Sequence, residues 1–258
     1  SGAGSPGTGR PGGPSPYIRT PSVITIDFDR LKPEGRLLDI GCGPGRHTAA
    51  AARLGWKRVV GADQSAADLT TARRRLLDEG LAAALTATDI RLLPFRDGAF
   101  HAVVCAEVLE HIPDHRQAVK ELVRVLAPGG RMAISVPRYL PERICWMLSD
   151  AYHKVPGGHI RIYRKAALIR LLTAAGLTPA DCHGAHALHG PYWWLKCAVG
   201  PDRDDVPPVE WYHRLLVREM MGRSRILTAL ERILNPWMGK SLVVYFRKPP
   251  IQEKSGRP

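Results

Sequence analysis

Side chains suited to catalysis or metal binding cluster in the pentapeptide EVLEH, which contains Glu107, Glu110 and His111. A further histidine, His159, follows later in the chain within the segment GHIRIYR. Carboxylates and imidazoles are ligands for Mg²⁺, Mn²⁺ or Zn²⁺, and a bound cation lowers the pKa of an acceptor hydroxyl. Imidazole also titrates near neutral pH, where it serves as a general base. His111 and His159 are therefore candidates for either chemistry.

A glycine-rich turn, GCGPG, forms a second candidate site and contains Gly41, Cys42, Gly43 and Gly45. Glycines let the backbone turn sharply and approach a ligand, and the amides of a following helix present positive potential. Asp63 stands at the end of the next predicted strand, where a carboxylate can accept both ribose hydroxyls of a nucleoside. The spacing predicts a nucleoside-containing cofactor.

The identity of that cofactor is narrowed by one missing glycine. A strand, a glycine turn and a downstream acid are shared with NAD-dependent enzymes, so these features alone are weak evidence. The dinucleotide fingerprint requires a third glycine at position 46, where this chain has Arg46. The departure argues against NAD.

Three further histidines, His183, His186 and His189, recur at a spacing of three residues. They fall on a segment with strand character, where such a spacing places neighbours on opposite faces. We therefore expect a polar pocket wall or a surface loop here and predict no metal site.

The elements that position these residues alternate between short apolar strands and amphipathic helices, as in a parallel α/β sheet. Strands are predicted at 37–40, 58–61, 81–88, 100–105, 132–136, 177–182 and 241–246. Helices are predicted at 46–54, 66–78, 117–126 and 165–175. The pattern predicts a doubly wound α/β fold.

The composition divides the chain into a tail and one domain. Residues 1–16 are mostly Gly, Pro and Ser, so they are predicted to form a disordered tail. We expect residues 17–258 to form a single domain, with a cofactor-binding half at 17–138 and an acceptor-side half at 139–258. A helical insertion is predicted at about 188–240, which is too long for a simple loop.

The insertion is rich in tryptophan and has helical periodicity. Apolar residues recur every three to four positions from Trp211 to Ile233, which predicts one or two amphipathic helices broken near Gly222. This face either packs on the sheet, covers an apolar acceptor as a lid, or lies on a membrane surface. The tryptophans of the insertion are Trp193, Trp194, Trp211 and Trp237.

Charge and cysteine content bound the partners and the location. Lys and Arg number 37 against 24 Asp and Glu, a net charge of +13 that favours polyanionic partners such as RNA or anionic lipid. Since the basic residues form no long run, a nucleic-acid partner is less favoured. The five cysteines lack CxxC spacing and are predicted to be free thiols. With no apolar run long enough for a span and no secretory pattern, the expected location is the cytoplasm, with membrane association left open.

The glycine turn belongs to a longer pattern, LDIGCGPG at 38–45, that closely resembles motif I of the class I S-adenosylmethionine (SAM)-dependent methyltransferases. The chain also resembles that family, in order, in VGAD at 60–63, TDI at 88–90, LPFRDGAF at 93–100 and LAPGGR at 126–131. The resemblance is to type 11 and ubiquinone-biosynthesis O-methyltransferase-like members. It implies a Rossmann-like sheet of seven strands in the order 3-2-1-4-5-7-6, with the last strand antiparallel.

The same resemblance assigns roles in a SAM pocket. The glycine turn would pass the methionyl part, Asp63 would hold the ribose, Asp89 would meet the adenine amine and Ile90 would cover the ring, while Asp39 orients the loop. The full set of predicted cofactor residues is Asp39, Gly41, Cys42, Gly43, Gly45, Asp63, Gln64, Asp89, Ile90, Ala106 and Glu107.

In two branches of the family, the ubiquinone-biosynthesis O-methyltransferases and the small-RNA 2′-O-methyltransferases, the pattern Glu-x-x-Glu-His supplies ligands for a divalent metal. Here that pattern falls on Glu107, Glu110 and His111, and His159 stands where the RNA branch has a further histidine. The resemblance therefore leaves a bound Mg²⁺, Mn²⁺ or Zn²⁺ open beside general-base catalysis by His111 or His159.

The expected function is SAM-dependent O-methylation of a small or lipid-like acceptor, such as a phenol, a quinone precursor or a sugar hydroxyl. Peripheral membrane contact would involve the tryptophan-rich insertion. An RNA 2′-O-methyltransferase and a non-catalytic membrane-surface or scaffold protein are the alternatives. The cofactor motifs specify neither the acceptor atom nor the oligomeric state.

Overall fold

The computed structural model describes residues 24–32, 34–155, 157–220 and 224–251. The predicted disordered tail, 1–16, and the predicted helix break at Gly222 lie outside these ranges.

A seven-stranded sheet forms the centre of the fold. Its strands are β1 (Arg36–Ile40), β2 (Arg58–Asp63), β3 (Ala84–Ala87), β4 (Phe100–Ala106), β5 (Leu126–Pro137), β6 (Thr178–Ala185) and β7 (Ser241–Arg247). Their order is β3-β2-β1-β4-β5-β7-β6, and β7 is antiparallel to both of its neighbours while β1 to β5 are parallel. The predicted Rossmann-like fold and its strand order are confirmed.

Helices surround the sheet and fill the acceptor side. They are α1 (Arg46–Arg53), α2 (Ala66–Asp78), α3 (His115–Val125), α4 (Tyr139–Leu148), α5 (Asp150–His153), α6 (Lys165–Ala174), α7 (His189–Val199), α8 (Pro207–Met220) and α9 (Arg225–Met238). No helix in the described ranges combines the length and the apolar character needed to cross a membrane.

Strand β4 shows why the sheet is buried on both faces. Its side chains at Val103 and Cys105 belong to one apolar core, and those at Ala102 and Val104 belong to the core on the opposite face. Successive residues of a strand point to opposite faces, so a continuous apolar run is what a doubly covered strand requires.

Side-chain caps set where two of the helices begin. Ser65 accepts a hydrogen bond from the backbone N–H of Asp68 at 3.2 Å before α2, and Asp114 accepts one from Gln117 at 3.0 Å before α3. Helix α1 differs, because its N-cap is Gly45 and has no side chain to occupy the first amides. The start of α1 thus presents its N–H groups to the glycine turn.

Two sequence predictions need correction. Strand β5 begins at Leu126 rather than 132, because pairing with β4 already starts there: Leu126 pairs with Phe100 and, after an irregularity in the register, Arg131 pairs with Ala102. The Gly129 N–H also donates to the carbonyl of Lys248. The insertion contains three helices, α7 to α9, instead of one or two. Helix α7 was missed because its segment, HGPYWWLKCAV, carries Gly and Pro in its first turn and lacks a clear apolar stripe.

Candidate functional site

The glycine turn after β1 is shaped by positions that exclude side chains. Gly41 has a φ of +68°, and a Cβ there would collide with the side chain of Val108. Gly45 has a φ of +75°, and its Cβ would lie 2.8 Å from the Cβ of Ala72. Only glycine combines this left-handed backbone with so close an approach, so the turn has one available conformation.

Two aspartates at the strand ends brace that turn. Asp63 accepts hydrogen bonds from the backbone N–H of Gly43 at 2.8 Å and of Ser65 at 2.9 Å. Asp39 is buried and accepts from the Thr48 hydroxyl at 2.6 Å, while burial raises its pKa to about 6. Asp63 thus fixes the loop, and Asp39 joins β1 to α1.

The remaining predicted cofactor residues border the same edge of the sheet. Cys42 is buried, and burial raises the pKa of its thiol above the usual range. Asp89 forms an ion pair with Arg91 at 2.5 Å, which lowers the Asp89 pKa. Ile90 is buried in the core and Gln64 is exposed. Their contacts with a cofactor stay predictions.

Glu107 follows β4, after the half-buried Ala106, with a φ of +55°, which is unusual for a residue with a side chain. Its carboxylate accepts a hydrogen bond from the Ser135 hydroxyl at 2.8 Å. Burial raises the Glu107 pKa, and the positive charge of Lys240 opposes that rise. The backbone turn directs this carboxylate toward the cavity described below.

Glu110, His111 and His159 come together, with their candidate ligand atoms all within 4.8 Å of one another. Glu107 is not part of this group. The two imidazole rings lie 4.9 Å apart at 62°, and His111 Nε2 is 4.0 Å from Glu110 Oε1. The Glu110 side chain is completely buried, and neither of its oxygens has a hydrogen-bond partner among the described residues. Burial, followed by the charge of Glu107, raises the Glu110 pKa well above its usual range.

The Nδ1 atom of each imidazole lies within hydrogen-bonding distance of another group of the chain. His111 Nδ1 lies 3.2 Å from the carbonyl of Gly158, and His159 Nδ1 lies 2.5 Å from Glu142 Oε1. Both partners are acceptors, so in a neutral His111 the proton is on Nδ1 and Nε2 keeps its lone pair. This is the second-layer arrangement typical of metal-binding histidines. The donor set therefore fits a divalent metal, and it equally fits a neutral His111 that accepts a proton.

Sequence reasoning missed Glu142, the partner of His159. Burial raises the Glu142 pKa, but the hydrogen bond from His159 and the charge of Lys240 outweigh that effect and lower it overall. Glu142 also accepts from Trp146 Nε1 at 3.1 Å and from the Tyr152 hydroxyl at 3.2 Å. An acid directly after the fifth strand, on the edge where doubly wound folds bind ligands, was the available signal.

A cavity of about 430 Å³ connects the cofactor edge to the insertion. Arg46, Glu107 and Lys240 line it on the sheet side, and Tyr192, Trp193, Val209 and Leu216 of the insertion form an apolar wall. Leu188, Tyr192, Val209 and Leu216 are buried together in a core of their own. The insertion thus covers this cavity.

The other tryptophans have different surroundings. Trp194 Nε1 donates to the carbonyl of Pro141 at 3.0 Å, which ties α7 to α4. Trp211 and Trp237 are largely exposed on α8 and α9. The tryptophans therefore do not form one surface.

The expectation for the run of three histidines was wrong in one respect, because only His183 lies in β6. The strand ends at Ala185, so strand alternation does not separate His186 from His189. Their rings lie 5.2 Å apart, and both line the cavity. His183 lies apart from them, stacked on Tyr245.

Comparison with known proteins supports the geometry. Residues 38–134 match the methyltransferase domain family. Methyltransferase GfsG from Streptomyces halstedii is 39% identical over 102 residues, and the match covers 39% of this chain and 37% of that protein. A ubiquinone biosynthesis O-methyltransferase from Xanthomonas axonopodis pv. citri (strain 306) is 30% identical over 182 residues, covering 67% of this chain and 76% of the relative.

The fold is also similar to that of a solved structure, a geranyl diphosphate methyltransferase in complex with SAM. The TM-score is 0.57 at 18% sequence identity, and the match covers 86% of this chain and 82% of the other. At this identity the likeness concerns the arrangement of strands and helices.

Proposed function

Because the chain belongs to the class I SAM-dependent methyltransferase family, we propose that it transfers the methyl group of SAM to an oxygen of a small or lipid-like acceptor. The main support for this proposal is the cavity, which extends from Glu107 at the cofactor edge to the apolar wall of the insertion. The Xanthomonas relative, named as a ubiquinone biosynthesis O-methyltransferase, supports oxygen as the acceptor atom.

The glycine turn and Asp63 suit SAM because they present backbone amides and a carboxylate at adjacent strand ends. In the proposed pocket Asp63 holds the ribose, Asp89 meets the adenine and Glu107 borders the methionyl group. The chain's main contribution is alignment: the acceptor oxygen, the methyl carbon and the sulfur must be collinear for direct displacement. The new C–O bond forms as the C–S bond breaks, which leaves S-adenosylhomocysteine.

The acceptor hydroxyl must lose its proton during this step. We assign His111 Nε2 as the group that accepts it, and the contact of Nδ1 with the Gly158 carbonyl supports this assignment. Burial and the nearby His159 lower the His111 pKa, so the imidazole is neutral and able to accept a proton at neutral pH. His159, fixed by Glu142, is placed beside it.

We propose the alternative ligand set Glu110, His111 and His159 for a divalent cation, without Glu107. When bound, the cation would lower the pKa of the acceptor hydroxyl, so that transfer would no longer need the imidazole as a base. The unpartnered carboxylate of Glu110 supports this assignment, because a buried acid without a partner costs about 1–3 kcal/mol or more.

Helix α9 supports a membrane-associated acceptor. Ile226, Ile233 and Trp237 are 80%, 68% and 79% exposed, and their spacing places them along one side of the helix. Arg225 and Arg232 are exposed on the same helix and suit anionic lipid headgroups. We propose that this stripe contacts an anionic lipid surface.

The lipid contact is tested by sedimentation with phosphatidylglycerol vesicles. The double variant Ile233→Ser/Trp237→Ser should sediment less than the unaltered chain. The control Leu77→Ser, which changes an exposed apolar residue on α2, should sediment like the unaltered chain. Equal sedimentation of the unaltered chain and both variants would contradict the contact.

The acceptor class is tested with methyl-labelled SAM and a cell extract, with and without a chelator, followed by separation of organic-soluble, polar and RNA fractions. Label in the organic or small-metabolite fraction is expected. Label in RNA alone, or no transfer at all, would contradict the proposal and favour the RNA or the non-catalytic alternative. If the Glu110, His111 and His159 group holds the metal, transfer is lost on chelation, and added metal restores it in the unaltered chain but not in Glu110→Gln. Transfer indifferent to chelation would contradict a metal-dependent step and favour His111 as the base.

A further inference from the structure

A second group of candidate metal ligands lies beside the cavity. It consists of His186 after β6, His189 at the start of α7 and Glu231 in α9. Their candidate ligand atoms all lie within 4.8 Å of one another, and His186 Nδ1 is 3.6 Å from Glu231 Oε1. Three separate elements thus converge on one point.

Two atoms of this group are buried without a partner. His189 Nδ1 and Glu231 Oε2 have no hydrogen bond within the described part of the chain, and Glu231 is only 7% exposed. A buried polar atom without a partner costs about 1–3 kcal/mol. One of these atoms is on a carboxylate and the other on an imidazole of the same group, and a shared ligand would satisfy both.

The third member is held with one nitrogen free to bind. His186 Nε2 lies 3.2 Å from the Thr25 hydroxyl, so its Nδ1 faces Glu231. The His186 backbone has a φ of +62°, a strained conformation that non-glycine residues keep mainly at functional positions.

We propose that His186, His189 and Glu231 bind one Zn²⁺ ion. Two imidazoles and one carboxylate form a ligand set used by zinc with a fourth position left open, whereas Mg²⁺ and Ca²⁺ prefer oxygen ligands alone. Since His186 and His189 line the cavity, the open position faces the proposed acceptor. The ion would also clip α7 and α9 to the end of β6, which fixes the insertion over the cavity.

This site shares no residue with the Glu110 cluster, so the two can be measured independently. The chain, stripped with a chelator, is loaded with Zn²⁺, desalted and analysed for bound metal. His189→Asn and Glu231→Gln should each weaken the zinc binding of this site more than about tenfold. Glu110→Gln should retain this equivalent of zinc. His183→Asn is the matched control, because His183 belongs to the same run of histidines but lies outside the group.

Measurements on the unaltered chain keep the proposal testable if a variant fails to fold. Zinc should raise the melting temperature, since a ligand that binds only the folded state stabilises it. It should also slow amide hydrogen exchange at residues 185–190 and 228–234, the two segments that carry the ligands. Zinc stoichiometry unchanged by His189→Asn and Glu231→Gln, or no protection of these two segments, would overturn the assignment.

Discussion

The carboxylates of the cofactor edge and those of the two candidate metal groups have opposite surroundings. On the cofactor side, the chain itself satisfies Asp63 and Asp39, through the backbone of Gly43 and Ser65 and through the Thr48 hydroxyl. Beyond it, both oxygens of Glu110 and one oxygen of Glu231 are buried without a partner among the residues described.

This difference indicates that the cofactor side and the acceptor side are organised for binding in different ways. The hydrogen bonds of the cofactor edge are made within the chain, so this edge has its shape before SAM binds. Removing these hydrogen bonds would therefore disturb the local structure. The acceptor side carries buried carboxyl groups without hydrogen-bond partners among the described residues, and a bound ligand would offset the cost of burying them. We therefore expect substitutions on the cofactor side to affect stability and SAM affinity, and substitutions on the acceptor side to affect turnover or metal content.

The largest expected effect is on the glycine turn. Gly41→Ala adds a Cβ that collides with Val108 at a positive φ, so we expect a loss of about 3 kcal/mol in the free energy of unfolding. Gly80→Ala is the control, since Gly80 has a φ of +62° with open space around it and should lose only about 1 kcal/mol. Urea unfolding measures both. Equal losses would show that backbone strain alone, not close packing, governs the turn.

The next effect concerns the ribose carboxylate. Asp63→Ala removes the acceptor at the end of β2, and we expect SAM to bind about 100-fold more weakly, as the loss of charged hydrogen bonds predicts. Asp78→Ala, at the exposed end of α2, should leave the dissociation constant unchanged. Calorimetric titration distinguishes the two. Unaltered affinity in Asp63→Ala would mean that the cofactor lies elsewhere.

The smallest effect concerns how the free energy of unfolding changes with pH. His47 Nε2 accepts the Thr25 N–H, and burial is the main cause that lowers the His47 pKa to about 3. Below about pH 6.5 His47 binds a proton in the unfolded chain but stays neutral in the folded chain. The free energy of unfolding therefore falls as the pH falls toward 3. His47→Gln should remove about 1.4 kcal/mol per pH unit from that slope.

Comparing the two proteins isolates this histidine. Asp39, whose pKa is raised to about 6, acts with the opposite sign below pH 6 but is present in both. Unfolding in urea at several pH values between 4 and 7 gives the slopes. Identical slopes would show that His47 is already protonated in the folded chain.

The elements of the cofactor side were predictable because their signals are local. The glycine turn and the aspartates at the strand ends lie in short stretches of sequence, and Glu110 and His111 adjoin within one pentapeptide. The strand order was implied by the family resemblance and is confirmed. Periods of two and of 3.6 residues mark the flanking strands and helices directly.

The acceptor side was less predictable because its contacts join distant segments. Glu142 meets His159, and Glu231 meets His186, only after α4 and α9 have packed. Spacing also misled where an element ended: His186 and His189 were assigned to a strand that stops at Ala185. Neither pairing has a signature in one stretch of sequence.

The central claim is that the cofactor side binds SAM while His111 acts in the transfer step. It is tested most directly by measuring methyl transfer by His111→Asn at saturating SAM. The acceptor is the extract fraction that takes up label with the unaltered chain. We expect the SAM dissociation constant to stay within about twofold, while the transfer rate falls by about 10²–10⁴, the usual contribution of a positioned acid or base. His115→Asn is the control, because His115 bonds to the Tyr163 hydroxyl at 2.6 Å and lies outside the Glu110 group. Transfer at the unaltered rate in His111→Asn would contradict the account.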